Sequence, residues 1–229
     1  MNCYKKSTTE KTMNKKEQTR LVVLLTAAIL IVDQVVKILV KTHMQIGEDI
    51  PLIGSWCRLH FIENEGMAFG MAFGGAVGKV VLSSVRLVAS AAIAWLLAHL
   101  VSKGTRTSLL VSLALIFTGA VGNLIDSCFY GLIFNESYYQ VATLFPPEGG
   151  YAPLLQGRVV DMFYFPLFEF DWPKWIPFVG GQHFEFFNAI FNVADSAITI
   201  GVVWLIIDQI FISPKYSKSD EKEEETEEK

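Results

Sequence analysis

Four long apolar runs set what this chain can fold into. They lie at about Leu21–Lys41, Gly78–Val101, Thr107–Ser127 and Ala189–Ile212. Roughly 20 apolar residues in a helix cross the hydrocarbon of a bilayer. Inside lipid every backbone polar group must be paired within the protein, so runs of this length predict helices. Of 229 residues, 52% are apolar and only 18% charged, too greasy for an ordinary soluble domain. The first run is too long for a cleaved signal sequence and lacks a small-residue cleavage site, so it reads as a retained helix. The expected architecture is a mainly α membrane protein, a bundle of four transmembrane helices over residues 21–212. Charge collects at the ends. Residues 1–20 are basic and 213–229 are rich in Lys, Asp and Glu, so both tails are expected to be solvated and disordered.

The cations orient the bundle. Lys5, Lys6, Lys11, Lys15, Lys16 and Arg20 precede the first span, Lys103 and Arg106 sit between the second and third, and Lys215 and Lys218 follow the fourth. The two long loops, about 42–77 and 128–188, hold only Arg58, Arg158 and Lys174 as cations. Both termini are therefore expected in the cytoplasm and both long loops outside. In the first loop, Trp56-Cys-Arg-Leu-His-Phe-Ile alternates apolar with polar, which predicts a strand of a small outer-face antiparallel β-sheet. The second loop is crowded with aromatics, Phe163 to Phe187, suited to the membrane interface. Part of it is expected to lie along the bilayer.

Polar residues near the hydrocarbon are functional candidates by default. Asp161, in Gly157-Arg-Val-Val-Asp161, belongs to the second outer loop. Asp195, in Phe191-Asn-Val-Ala-Asp195, lies about 9 Å below the expected start of the last helix. Asn123, Asp126 and Asn192 fall at the same face. Each aspartate alone reads equally well as a helix cap or the acceptor of a buried donor. Together they suggest a dyad whose repelling charges leave one member protonated and one ionised. Such a pair lets the anion take a proton from water while the acid polarises a carbonyl, as in aspartic proteases. Asp33 and Lys37, four apart in the first run, read as a structural ion pair, with substrate contact the alternative. Gly119 and Gly122 read as packing positions, Asn123 as interhelical glue or a substrate contact, and Asp126 as a structural acceptor at a helix end. Asn64-Glu-Gly66-Met-Ala-Phe-Gly reads as a turn, or as a loop offering an amide and backbone to an extended peptide. Three cysteines and four scattered histidines show no metal spacing, so no metal or cofactor is expected, and nothing points to nucleic acid.

The ordered set Asp33-Gln-x-x-Lys37, Asn64-x-Gly66-x-Ala-Phe-Gly70, Gly119-Ala-x-Gly-Asn-Leu-Ile-Asp126, Gly157-x-Val-Val-Asp161 and Phe191-Asn-x-Ala-Asp195 resembles the lipoprotein signal peptidase (signal peptidase II) family. The resemblance covers about Ile31 to Ile212. It implies a monomeric enzyme of the bacterial plasma membrane that cuts prolipoproteins before a diacylglyceryl cysteine, among membrane lipids and without a cofactor. It puts Asp161 and Asp195 in the catalytic positions and Asn64, Gly66, Asn123 and Asn192 along the substrate pocket. The chain departs from the family where Ser127 follows Asp126 in place of the usual Arg, and where Met67 replaces Ala. Arg158 is therefore expected to supply the missing cation by contacting substrate, with a headgroup anchor as the alternative. The stretches Asp126–Asp161 and Asp161–Asp195 are longer than the family leads one to expect, which leaves the shape of the outer lid open. Two other classes also keep carboxylates in membranes: proton-coupled transporters and scaffolds whose polar groups only join helices. The lack of internal symmetry and a site confined to one face speak against the first.

Overall fold

The computed structural model describes residues 13–65 and 75–213. Four of its helices are long and apolar enough to cross a membrane. The first, α1, spans Lys15–His43 and so begins before the expected Leu21, taking residues 15–20 out of the predicted tail. A capping box explains the early start. The Asn14 side chain accepts from the backbone N–H of Glu17, and the Glu17 carboxylate accepts from the backbone N–H of Asn14. Val23, Leu24, Ile31, Val32, Val35 and Leu39 remain exposed on α1, as a lipid-facing surface requires.

After α1 come β1 (Asp49–Ile53) and β2 (Cys57–Asn64), then α2 (Gly75–Ser102) and α3 (Thr107–Ile125). The third helix does not stop at Ser127. It runs through a π turn at Asp126–Tyr130 into a last short turn, α4 (Gly131–Ile133). Strands β3 (Val159–Tyr164), β4 (Phe168–Asp171), β5 (His183–Phe186) and β6 (Ile190–Phe191) lead to α5 (Val193–Ile207), which ends in a π turn at Asp208–Ile212. Ala189, the expected start of the last span, precedes β6; the helix itself begins after Asn192, which caps it.

The predicted small sheet is present. It has four antiparallel strands in the order β1-β2-β3-β6, with Ile62 opposite Asp161, Glu63 opposite Val160 and Asn64 opposite Val159. It rests on one end of the bundle over a core of Val40, Met44, Phe61, Tyr130, Phe134, Val160 and Met162. Within the second loop the aromatics do not form a helix. Strands β4 and β5 make a separate hairpin, with Phe168 and Phe186 stacked at 4.5 Å and Trp175 and Phe178 exposed.

The chain from Phe134 to Gly157 folds back along the end of the third helix. Tyr151 N–H donates to Phe134 O, Ala152 N–H to Gly131 O and Gly157 N–H to Ser127 O, each at 2.9 Å. Gly157 lies so close that a Cβ there would sit 2.1 Å from Asp126 O. This is why β3 enters beside the helix carrying Asn123 and Asp126.

Helix α3 is central, packing on α1, α2 and α5. Its approach to α5 depends on small residues. A Cβ on Gly119 would meet Ala194 O at 2.2 Å, and one on Gly122 would meet Ala194 Cβ and Asp33 Oδ2, each at 2.9 Å. Gly119→Ala should therefore force the two helices apart, at about 1–3 kcal/mol for an overpacked contact. A lowered unfolding midpoint in detergent is expected; an unchanged one would contradict the packing.

Candidate active site

Asp161 and Asp195 arrive from different elements. Asp161 lies on β3, where its side chain shares a face with Asn64 across the strand pair. Asn64 Nδ2 donates to Asp161 Oδ2 at 3.2 Å. Asp195 sits in the first turn of α5. Its Oδ2 accepts from Asn192 N–H at 3.3 Å while Asn192 Oδ1 accepts from Asp195 N–H at 2.9 Å, a capping box built from the Phe-Asn-x-Ala-Asp motif. The capping alternative is thus real, and it leaves Asp195 Oδ1 available to the site.

Two asparagines join the carboxylates. Asn192 Nδ2 donates to Asp161 Oδ1 at 2.6 Å and to Asn123 Oδ1 at 3.1 Å. Asn123 Nδ2 donates to Asp195 Oδ1 at 2.8 Å. A continuous path therefore runs Asp195–Asn123–Asn192–Asp161–Asn64. All five of these residues were candidates from sequence, and the fold brings them together. Gly66, the remaining pocket candidate, and Met67 lie outside the described residues.

The environments of the two acids differ. Asp161 is 2% exposed, whereas Asp195 is only partly buried. Burial first, and the neighbouring Asp195 charge second, push the Asp161 carboxyl up to about 7, against the donors Asn64 and Asn192.

Beneath the pair lies a second, fully buried set. Lys37 Nζ contacts Asp33 at 3.0 Å and Asp126 at 2.8 Å, and donates to Asn123 Oδ1 at 3.0 Å. The expected Asp33–Lys37 pair exists, as a triad. Asp126 stands within a continuous helix rather than at its end, and it is an acceptor as expected. It takes Gln34 Nε2 at 3.0 Å and the Val160 N–H of β3 at 3.3 Å. Asp33 accepts the Ala194 N–H of α5 at 2.8 Å.

Arg158 does not join the aspartates. Successive strand residues face opposite sides, so Arg158 and Asp161, three apart, diverge. Arg158 turns to the face of Glu63, pairing with Glu63 Oε2 at 3.0 Å and with Glu136, and stacking 4.8 Å from the Tyr151 ring. Lys41 and Ser137 complete this cluster around Glu63. The cations Lys41 and Arg158 hold the Glu63 carboxyl below its usual range despite burial. Arg158 thus fastens the returning loop to the sheet, and the expectation that it replaces the missing cation is corrected.

The cation at Ser127 comes from elsewhere. Arg86 Nη1, on α2, donates to Ser127 Oγ at 3.0 Å. The sequence reading passed over it, although a lone Arg inside an apolar run is itself a signal.

Two outcomes are expected. Lys37→Met leaves Asp33 and Asp126 buried without their cation, so it should destabilise the protein by about 3–5 kcal/mol in denaturant or thermal unfolding. A raised carboxyl favours folding while protonated. The share of stability owed to Asp161 is then full below about 4 and lost as pH rises through about 7, and Asp161→Asn should flatten that part of the stability–pH curve. Parallel curves for mutant and parent would contradict it.

The sequence model of the family Signal peptidase (SPase) II matches residues 25–211. A lipoprotein signal peptidase of Porphyromonas gingivalis is 47% identical over 196 residues, covering 85% of each chain. One from Amoebophilus asiaticus is 37% identical, covering 78% of this chain and 73% of its own. A bacterial membrane enzyme solved by the in meso method at 2.3 Å is 25% identical, with a TM-score of 0.52 over 83% of this chain and 87% of its own. With four membrane-spanning helices and a match over most of its length, the chain is a multi-pass bacterial membrane peptidase of the signal peptidase II family.

Proposed function

We propose that the protein is an intramembrane aspartic endopeptidase that removes signal peptides from prolipoproteins, cutting before a diacylglyceryl cysteine. The observation that carries this reading is the asparagine-bridged pair Asp161–Asp195. Relatives named lipoprotein signal peptidase support the substrate class.

In this mechanism the pair holds one proton. Asp161, the buried member pushed up to about 7, carries it and donates to the scissile carbonyl oxygen. Asp195, the more accessible member, takes a proton from water as the hydroxide adds to the carbonyl carbon. That proton then passes to the leaving nitrogen, the C–N bond breaks, and the carbonyl re-forms as its oxygen returns a proton to Asp161. Asn123 and Asn192 donate to the aspartates throughout and fix their orientation. Asn64 lies where a peptide laid along the β2 end would meet it.

The site is proposed to face outward with both termini in the cytoplasm. Lys15, Lys16, Lys103 and Arg106 gather at the bundle end away from the sheet, which suits the cytoplasmic side. There Arg106 pairs with Asp208 and Gln18 donates to Thr105 O, so the ends of α1, α3 and α5 are joined. The substrate is itself a membrane helix with its lipidated cysteine at the outer leaflet, beside the pair. The enzyme is proposed to work as a monomer, with no metal or nucleic acid.

Cleavage of a diacylglyceryl-modified precursor by the purified protein tests the reading. Asp161→Asn and Asp195→Asn should each abolish turnover, while a scaffold would tolerate near-isosteric amides; wild-type rates from either mutant would sink the dyad. The rate should trace a bell against pH, falling above about 7 as the pair loses its shared proton, with neither limb owned by one residue. Unlipidated precursor should be cut far more slowly, because burying each CH₂ contributes roughly 0.8 kcal/mol.

A further inference from the structure

Arg86 is the charged side chain near the site that the mechanism above leaves without a task. It lies on α2, about 16 Å along the helix from Gly75 at 1.5 Å per residue. Ser83, Arg86 and Ser90 form one stripe turned toward the bundle, with Ser83 and Ser90 buried. Ser83 Oγ donates to Leu155 O at 2.8 Å and fixes the depth of α2 against the returning loop.

Arg86 makes no ion pair among the described residues, which is unusual for an arginine inside a membrane span. Its one fixed contact is the 3.0 Å hydrogen bond from Nη1 to Ser127 Oγ. Ser127 is 1% exposed, and its hydroxyl donates to Asn123 O at 2.9 Å, so the acceptor is itself aimed. Asn123, one helical turn back, is the residue that donates to Asp195. The guanidinium therefore stands beside the aspartate pair, and its charge faces Asp195, Asp126 and Asp161. A guanidinium has five N–H donors, and one is used here. The other four find no partner among the described residues, on a group only half buried. A neutral ligand rich in carbonyl oxygens, amide or ester, fits donors of this kind better than an anion would beside three carboxylates.

We propose that Arg86, aimed by Ser127, is the substrate-binding cation of this site and donates to carbonyl oxygens of the lipidated peptide next to the scissile bond. The small Ser127 is then required, because it accepts from the incoming guanidinium and leaves it room.

This inference rests on the proposed function, so its test separates binding from cleavage. Affinity for a diacylglyceryl-modified precursor peptide is measured in the Asp161→Asn background, and turnover in the parent. Arg86→Ala should weaken binding at least tenfold in the first and raise KM more than it lowers kcat in the second. Arg86→Lys should keep little of the loss from being felt, since a point charge cannot copy the fork; a headgroup anchor would survive it. Adding Ser127→Arg to Arg86→Ala should recover part of the affinity, because the truncated side chain vacates the space the new one needs. Binding within twofold of the parent for Arg86→Ala or Arg86→Lys would overturn the proposal. So would an Arg86→Ala loss that tracks a lowered unfolding midpoint and is not relieved by Ser127→Arg. Tight binding with no cleavage by the parent would instead fault the proposed reaction and leave Arg86 in place.

Discussion

The ammonium of Lys37 is the point on which the site hangs. An ammonium has three donors, and all are taken, by Asp33, Asp126 and Asn123. Each partner reaches one step further. Asp33 holds the first turn of α5 through Ala194 N–H, Asp126 holds β3 through Val160 N–H, and Asn123 holds Asp195. One buried cation thereby sets the relation of α1, α3, α5 and the sheet. Burying such a group is expensive unless every charge is matched and bonded. The sequence supplies the match through Asp33 one turn earlier on the same helix and Asp126 on the third span.

Above this triad the two aspartates differ in how they are held. Asp161 is fixed by strand pairing and by the donors Asn64 and Asn192, deep enough that its carboxyl is pushed up to about 7. Asp195 is fixed by its own helix turn and stays reachable. In the proposed reaction, surroundings that differ in this way would let two like groups divide acid and base work. The asparagines suit this arrangement because an amide donates to one partner and accepts from another without adding charge.

Much of this could be read from the chain. Apolar runs near Gly78–Val101 and Thr107–Ser127 anticipated α2 and α3 closely, since length and hydropathy decide helices in lipid. The polar motifs anticipated the residues that gather around Asp161 and Asp195, because each carries a residue that the hydrocarbon would otherwise exclude. Features hidden from that reading have local causes. Asn14 and Glu17 start α1 early, a signal written in polar residues just outside the apolar run. A π turn keeps the third helix going past Ser127, and nothing in its composition marks a change of hydrogen-bond register. Arg158 was placed by proximity in sequence, whereas the alternation of β3 sends it to the opposite face. Arg86 did not stand out in the sequence because a single cation hardly interrupts so long an apolar run, although it lies beside the aspartates in the fold.

The return of the chain from Phe134 to Gly157 has an evolutionary reading. Its ends are clamped together at the helix end by the bonds from Tyr151, Ala152 and Gly157, and Gly157 fits against Asp126 O with no room to spare. Everything between the clamps is a closed excursion. Doubling such a loop raises its closure entropy by only about 0.6 kcal/mol. Glu136 and Ser137 tie its first part to Arg158 and Glu63, so length added at the fully exposed Tyr139 would leave those contacts and the register of β3 in place. That exposed tip is the place where a lineage is free to experiment with size, charge and aromatic surface while the aspartate next door stays where it was.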